Sequence, residues 1–236
     1  MSSKAAATAL LCLVLGACAQ APTSAPPAAP QPAPRSAIPV APVATATVYQ
    51  VVRPASELRM LVMKGGILSR FGHNHVIGGP VISGRVMVQE NLSRSSFQLD
   101  IDLAALEIDN PDWRQEEGAD FASTPSAEDI AGTHENMLGE KVLDIGKYPT
   151  ASIESVGILG QLPEFSVLAR VTLKGKSKSI PVPVRLDLGV GQLTASGEFT
   201  LTQSDFGIEP FSILLGAISV QDDIRIRYRI VANPAD

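Results

Sequence analysis

The sequence predicts an all-β domain, an antiparallel sandwich or barrel with one short helical insertion. Apolar and polar residues alternate with a period of two in at least five stretches, as in strands with one buried and one exposed face. Turns that contain glycine or proline separate several of these stretches. One long segment lacks the alternation and contains a helix-capping pattern instead. The 236 residues are 45% hydrophobic and 18% charged, which suits one globular domain with extensions.

Residues 1–17 have the composition of a secretory signal peptide. Lys4 is the only charge before an apolar run over residues 5–17, which as a helix would rise only about 20 Å, too short to span a bilayer. The run ends in Leu15-Gly16-Ala17-Cys18, which is similar to a bacterial lipobox. We therefore expect cleavage before Cys18, lipidation of Cys18 and stable anchoring by several acyl chains. Secretion without an anchor, with Cys18 incidental, is the alternative.

A linker rich in alanine and proline covers residues 18–46. Proline fixes φ and lacks an N–H donor, so the composition predicts a semi-extended spacer that holds the following domain off a membrane surface. Ala19, directly after Cys18, favours the outer membrane. The expected location is therefore the periplasmic face of the bacterial cell envelope. The prolines of the linker are Pro22, Pro26, Pro27, Pro30, Pro32, Pro34, Pro39 and Pro42.

The domain over residues 47–233 contains eight or more predicted strands. A chain of this length buries roughly 70% of its unfolded surface, enough for an independent core. That many antiparallel strands in one domain form a sandwich or a barrel. A barrel of about eight strands is either filled by its own side chains or holds one small ligand. The predicted strands cover residues 48–53, 58–64, 81–89, 97–103, 150–158, 165–173, 180–188, 193–202 and 224–230.

Charge, cysteine content and motifs exclude several classes of function. The formal charge of −5 and the pI of about 5.3 make nucleic acid a poor partner. Both cysteines lie in the first 18 residues, so the domain has no disulfide, thiol nucleophile or cysteine metal ligand. No phosphate-binding glycine loop and no G-x-S-x-G sequence is present, so nucleotide binding and serine hydrolysis lack a positive signal.

The segment over residues 108–148 is the predicted helical insertion. Ser126 and Asp129 form a capping box, from which a helix is expected to run to about Leu138 and end at Gly139. The helix carries His134. Residues 110–113 are predicted to be a loop, and Trp113, the only tryptophan, would there either cap a ligand at a barrel mouth or simply pack.

Two of the three histidines, His73 and His75, stand one residue apart between glycines. On an extended segment both rings point to one face, and His-x-His is a common way for a strand to supply two metal ligands. His134 could be a third ligand, and Glu135, Asp109 or Asp112 could add an oxygen. The alternatives are proton transfer by the same residues, or polar anchors that order the loop before the next strand.

Four segments resemble proteins of the YceI-like family. They are Lys141–Ala151, with its Gly-Lys-Tyr-Pro-Thr; Leu173–Val182, with its Leu-Lys-Gly-Lys-Ser-Lys; Ser204-Asp205-Phe206-Gly207-Ile208; and Ile218–Ile224 near the last strand. Their order and spacing cover most of residues 47–232. The resemblance implies an extended, lipocalin-like antiparallel barrel that binds a long apolar molecule, in characterised relatives a polyisoprenoid.

The chain also departs from the family pattern. The R-D-x-H-L signature at the start of the insertion is replaced by Asn110-Pro111-Asp112-Trp113-Arg114-Gln115, and Ser204 stands where the family often has arginine. We therefore expect the barrel mouth and the ligand to differ from those of typical members. The residues expected to line the interior and contact the ligand are Phe97, Leu99, Ile101, Phe165, Val167, Leu186, Phe199 and Tyr228.

Three hypotheses of function follow. The first is an envelope lipoprotein, not an enzyme and without a cofactor, whose barrel binds or carries a polyisoprenoid or another lipid. The second is a metal-dependent enzyme or metal-binding protein that uses His73, His75 and His134. The third is a structural envelope factor without a ligand.

Overall fold

The computed structural model describes residues 46–235. The predicted signal peptide, Cys18 and nearly all of the predicted linker lie outside these residues. The strands of the described part are, in chain order, β1 (Ala46–Val51), β2 (Glu57–Val62), β3 (Lys64–Gly65), β4 (His75–Gly79), β5 (Ile82–Gln89), β6 (Ser96–Asp102), β7 (Glu107–Ile108), β8 (Thr150–Gln161), β9 (Glu164–Leu173), β10 (Lys176–Gly189), β11 (Gln192–Thr202), β12 (Ser212–Ile213), β13 (Ile218–Val220) and β14 (Asp223–Pro234).

Eight of these strands close into an antiparallel barrel in the order β1-β5-β6-β8-β9-β10-β11-β14, with β14 pairing back to β1. The closing contacts run from Tyr49 opposite Pro234 to Val51 opposite Ala232. The expected all-β barrel is therefore confirmed. Every predicted strand has its counterpart, within a few residues at each end.

A second set of strands extends the barrel on one side. The edge of β14 that pairs with β1 near its end pairs with β2 nearer its start, from Arg225 opposite Leu61 to Arg229 opposite Glu57. Strands β4 and β7 continue the sheet from β2. A separate small sheet has the strand order β12-β13-β3. In the chain, β3 follows β2, and β12 and β13 precede β14. The eight-stranded barrel is here called the closed half. The side built from the short strands β2, β4 and β7 and from the insertion is called the extended half.

Alternation along the long strands divides inside from outside. On β14, Ile224, Ile226, Tyr228 and Ile230 are buried, whereas the intervening arginines are exposed. Strand β9 shows the same alternation over residues 165–173. The core therefore lies inside the barrel, and the charged residues between core positions face solvent.

The insertion contains two helices, α1 (Pro111–Glu116) and α2 (Ala127–Leu138). The predicted capping box is present, because the Ser126 hydroxyl accepts from the Asp129 N–H and the Asp129 carboxylate accepts from the Ser126 N–H. The prediction of a loop over residues 110–113 is wrong. Asn110 caps α1 through the Asp112 N–H, and proline is suited to the first turn of a helix because no N–H is needed there.

The structure also places two local features that the sequence singled out. His73 lies in the loop before β4, and His75 is the first residue of that strand. Trp113 lies on a helix and is half-buried against a cluster of Leu61, Val76 and Phe121, with the Arg59 guanidinium 5.5 Å from its ring. It is not on the wall of either interior cavity. Its role is packing.

Replacing the cap of α2 should destabilise the domain measurably. We expect Ser126→Ala to lower the free energy of unfolding by about 1 kcal/mol, because the Asp129 N–H loses its acceptor. Urea unfolding would measure the change. Ser179→Ala, at an exposed strand position, is the matched control and should change stability by less than about 0.5 kcal/mol. Equal effects of the two variants would contradict the prediction.

Candidate functional site

The barrel encloses a cavity of about 260 Å³, here called the large cavity. Its wall is almost wholly apolar and comes from barrel strands, from β2 and β4, and from helix α2. Because inward positions of each strand are apolar by alternation, their side chains meet in this space. Representative wall residues are Met60, Ile77, Met137, Val171, Leu201 and Ile226.

A second cavity of about 120 Å³, the small cavity, lies within the closed half of the barrel. The Tyr228 hydroxyl on its wall donates to the Pro183 carbonyl oxygen at 2.7 Å, and burial raises the pKa of this hydroxyl. All eight residues expected to contact a ligand lie on its wall; that they bind one stays a prediction. These residues are Phe97, Leu99, Ile101, Phe165, Val167, Leu186, Phe199 and Tyr228.

The two cavities adjoin. Four side chains line both of them, and this shared wall consists of Leu58, Ile101, Ile153 and Phe199. The ring of Phe199 is tilted against that of Tyr228, with 6.2 Å between centroids. The side chains of this shared wall therefore stand between the two cavities, and a change in their rotamers would join the cavities into one longer channel.

The large cavity has one polar region. Its ionisable wall residues are Lys64, His73 and His75, here called the basic end. No aspartate or glutamate of the described residues lies on this wall. The Lys64 ammonium donates to the Gly72 carbonyl oxygen at 2.9 Å. The remaining polar wall side chains are Thr133, Asn136, Gln203 and Ser219.

His75 is held by a buried carboxylate. Its Nδ1 lies 2.6 Å from Oδ2 of Asp109, whose side chain has no exposed surface. The other oxygen, Oδ1, accepts from the Val76 N–H at 3.0 Å and from the Arg114 guanidinium. Because Nδ1 faces the carboxylate, Nε2 is the nitrogen that a molecule in the large cavity can reach.

The Asp109 side chain is held in its ionised form although it is buried. Burial alone would raise its pKa, but the hydrogen bond and charge of His75, the Val76 N–H and Arg114 outweigh burial and lower the pKa below the ordinary value of 3.8. The residue also has a left-handed backbone, with φ of 57°, a conformation that aspartate tolerates. Its charge is thus part of the fold.

Arg114 joins the insertion to strand β4. Its guanidinium donates to the carbonyl oxygens of Asn74 and Ser123 in addition to Asp109. The buried Asn74 accepts from the Lys64 N–H and donates to the Asp120 carbonyl oxygen. These bonds of Arg114 and Asn74 fix the loop before β4. Reasoning from the sequence missed Arg114. A signal was available, because it is the only arginine between Arg94 and Arg170, in an acidic segment.

The geometry does not favour the metal hypothesis. His73 and His75 line the same cavity, with 6.4 Å between ring centroids. Nδ1 of His75 is taken by Asp109, and His73 lies near Ser123 and Asp129. The structure leaves His134 exposed on α2 instead of bringing it to the pair. Over residues 46–235, no three histidine, cysteine or acidic side chains are grouped to hold a metal ion.

Removing the Asp109 charge should destabilise the fold strongly. We expect Asp109→Asn to cost about 3–5 kcal/mol, because the buried Arg114 charge loses its partner. The matched control is Asp102→Asn, which breaks the exposed ion pair with Arg53 and should cost no more than about 1 kcal/mol.

The two variants should also differ in how their stability changes at acidic pH. Since folding lowers the pKa of Asp109, its contribution to stability is complete above pH 3.8 and is lost as the pH falls through the lower folded-state pKa. Unfolding free energies measured below pH 4 should therefore decline more steeply in the wild type and in Asp102→Asn than in Asp109→Asn. Parallel curves for all three proteins would contradict this role.

Comparisons with known proteins agree with this architecture. BcnA from Burkholderia cenocepacia superposes with a TM-score of 0.58 at 19% identity, covering 78% of this chain and 99% of that one. A polyisoprenoid-binding domain from Saccharophagus degradans, implicated in plant cell wall breakdown, superposes with a TM-score of 0.53 at 14% identity, covering 80% and 99%. At these identities the likeness shows a shared fold.

Three further findings concern the sequence and the helices. No curated protein sequence matches the chain. Neither helix within residues 46–235 has the length and apolar composition needed to cross a membrane. A model of the YceI-like domain matches residues 49–232, most of the chain and nearly all of the described part. The resemblance drawn from the four sequence segments is confirmed, and the chain belongs to the YceI-like domain family.

Proposed function

We propose that the domain binds a long apolar molecule, a polyisoprenoid or another lipid chain, inside the barrel. The observation that carries the proposal is the pair of adjoining apolar cavities. The structural likeness to a polyisoprenoid-binding domain supports the choice of ligand class. Burial would drive binding, at about 25 cal/mol per Å² of apolar surface removed from water.

The cavity sizes favour a chain that occupies both. Small-molecule sites commonly measure about 300–1,000 Å³. The large cavity, at about 260 Å³, lies just below this range, and the small cavity is well below it. A long chain would therefore cross the shared wall of Leu58, Ile101, Ile153 and Phe199.

The proposal includes a place in the cell. The lipobox-like sequence ending at Cys18 and the proline-rich linker support a lipoprotein of the bacterial envelope, with the barrel on the periplasmic side of the outer membrane. Such a protein would hold or carry its ligand within reach of the membrane to which it is anchored.

Blocking the shared wall tests the proposal. We expect an apolar chain to co-purify with the wild type, and Ile153→Trp to retain fewer or shorter chains because indole fills the passage. Solvent extraction and mass spectrometry of the purified proteins would measure both. Overpacking costs about 1–3 kcal/mol, so a melting curve must show that the variant is folded.

The matched control is Leu159→Trp, on the same strand but three-quarters exposed. It should retain the same chains as the wild type. A wild-type protein that carries no chain and binds no added isoprenoid or fatty chain would refute the proposal.

A further inference from the structure

We propose that the ligand is an amphiphile with an anionic head, a carboxylate or a phosphate, and that the head lies beside Lys64 at the basic end of the large cavity. This inference rests on the proposed function and specifies its ligand. An apolar channel alone selects no head group, whereas the polar part of this wall can contact one.

The ionisable side chains on the wall of the large cavity favour an anionic head. The chain contains 24 aspartates and glutamates, 19 lysines and arginines and 3 histidines, yet the ionisable wall residues of the large cavity are Lys64, His73 and His75, with no carboxylate among them. The cavity is therefore complementary to a negative or strongly hydrogen-bond-accepting group.

The second step concerns Lys64 itself. Its backbone is fixed by pairing with Val220 and by the Asn74 side chain. The ammonium donates one hydrogen bond, to the Gly72 carbonyl oxygen, and forms no ion pair within residues 46–235. An ammonium has three donors. Two of them are left for a ligand at the border of an apolar wall, where a charge-assisted hydrogen bond is stronger than in water.

The third step is orientation. Asp109 holds His75 so that Nε2 is the nitrogen available to the cavity, and its own charge is shared with Arg114. Lys64 supplies the attraction for an anion, and His75 supplies a hydrogen-bonding group with a fixed direction. The apolar chain would then run toward the shared wall and the small cavity.

Probes matched in chain but not in head test this inference. Palmitate should bind at least about tenfold more tightly than hexadecanol, and farnesyl phosphate than farnesol, because hydrogen bonds to charged groups are the strong ones. Displacement of a fluorescent apolar probe would measure the four affinities. If only palmitate is preferred over its alcohol, the natural head is a carboxylate. If only farnesyl phosphate is preferred over its alcohol, the natural head is a phosphate.

Variants of the full chain locate the effect. Lys64→Met should abolish the preference for the anionic head by weakening the binding of the acids far more than that of the alcohols, whereas Lys64→Arg should retain the preference. Lys141→Met removes the same charge from an exposed position off the cavity wall and should behave as the wild type. Equal binding of acids and alcohols by the wild type, or equal losses for both in Lys64→Met, would overturn the inference and leave the proposed function standing. If none of the four probes binds, the proposed function fails as well.

A different observation supports a second inference. Two loops carry exposed apolar side chains: residues 66–72 and 211–217, here called the apolar tips. Ile67 is 91% exposed, Phe71 63%, Leu214 65% and Leu215 109%. Large side chains with so little burial in neighbouring loops mark an interaction site.

The apolar tips form one unit. The Leu68 N–H donates to the Ala217 carbonyl oxygen at 2.8 Å, and a Cβ at Gly66 would lie 2.4 Å from that oxygen. Leu214 and Leu215 both have left-handed backbones, with φ of 51° and 56°. Such backbones are costly for large residues and cluster at functional sites. The loops are therefore held in a conformation that presents leucines to the outside.

We infer that the apolar tips insert into the surface of a lipid bilayer. They adjoin the large cavity, since Gly72 and Phe211 lie on its wall, so an insoluble ligand could enter without crossing water. Arg70 is the only charged residue in the two tips, which suits anionic lipid headgroups. Single side chains that protrude from a loop can bury themselves at the boundary between headgroups and acyl chains. A flat protein face offers them less apolar depth.

Tryptophan placed at two equally exposed positions tests this inference in the full, lipid-anchored chain in phosphatidylglycerol-containing vesicles. Leu215→Trp should show blue-shifted fluorescence and quenching by brominated lipid. Val190→Trp is the matched control, 108% exposed at the turn beside the small cavity, and should show neither. An unquenched Leu215→Trp, or a blue shift that depends on protein concentration without lipid, would overturn it, the latter in favour of contact between copies.

Discussion

The pairing of strand β14 is the constraint on which the rest of the barrel depends. Along one edge it pairs with β11 from Asp223 to Ala232, and along the other it pairs first with β2 and then with β1. Because β14 pairs with β11, β1 and β2, the closed half and the extended half share a single inner face. The buried residues of β14 thus face both cavities, Ile224 and Ile226 the large one and Tyr228 and Ile230 the small one.

The extended half needs another source of order, and the Asp109 carboxylate provides it. Strands β4 and β7 have only five and two residues, so they form few backbone hydrogen bonds of their own. A buried charge is costly unless it is paired and hydrogen-bonded, so a fold that contains Asp109 must also place His75, Val76 and Arg114 around it. The carboxylate therefore specifies the geometry of the insertion. The exposed ion pairs on the outside, such as Arg227 with Glu198, contribute little by comparison.

The difference between these two halves explains what could be predicted from the sequence. The strands of the closed half that supply the residues expected to contact a ligand repeat a two-residue period over seven or more residues, and that pattern predicts both the strand and its inner face. All eight residues chosen on this basis line the small cavity. In the extended half, α1 has only six residues and β7 only two, too short for any period to show. Arg114 and Asp109 are five residues apart, but the contact of Asp109 with His75 depends on the tertiary fold and has no local signal.

The same division separates two parts of ligand recognition. The apolar wall common to both cavities follows from alternation, and many sequences with that pattern would produce it. The basic end depends on Lys64 in the two-residue strand β3, on a histidine at the first position of β4 and on α2, which adds Asn136 and Met137 to the wall. These elements are two short strands and a helix of the insertion, outside the long alternating strands of the barrel. Affinity for a chain would then be a property of the fold, and the choice of head group a property of this sequence.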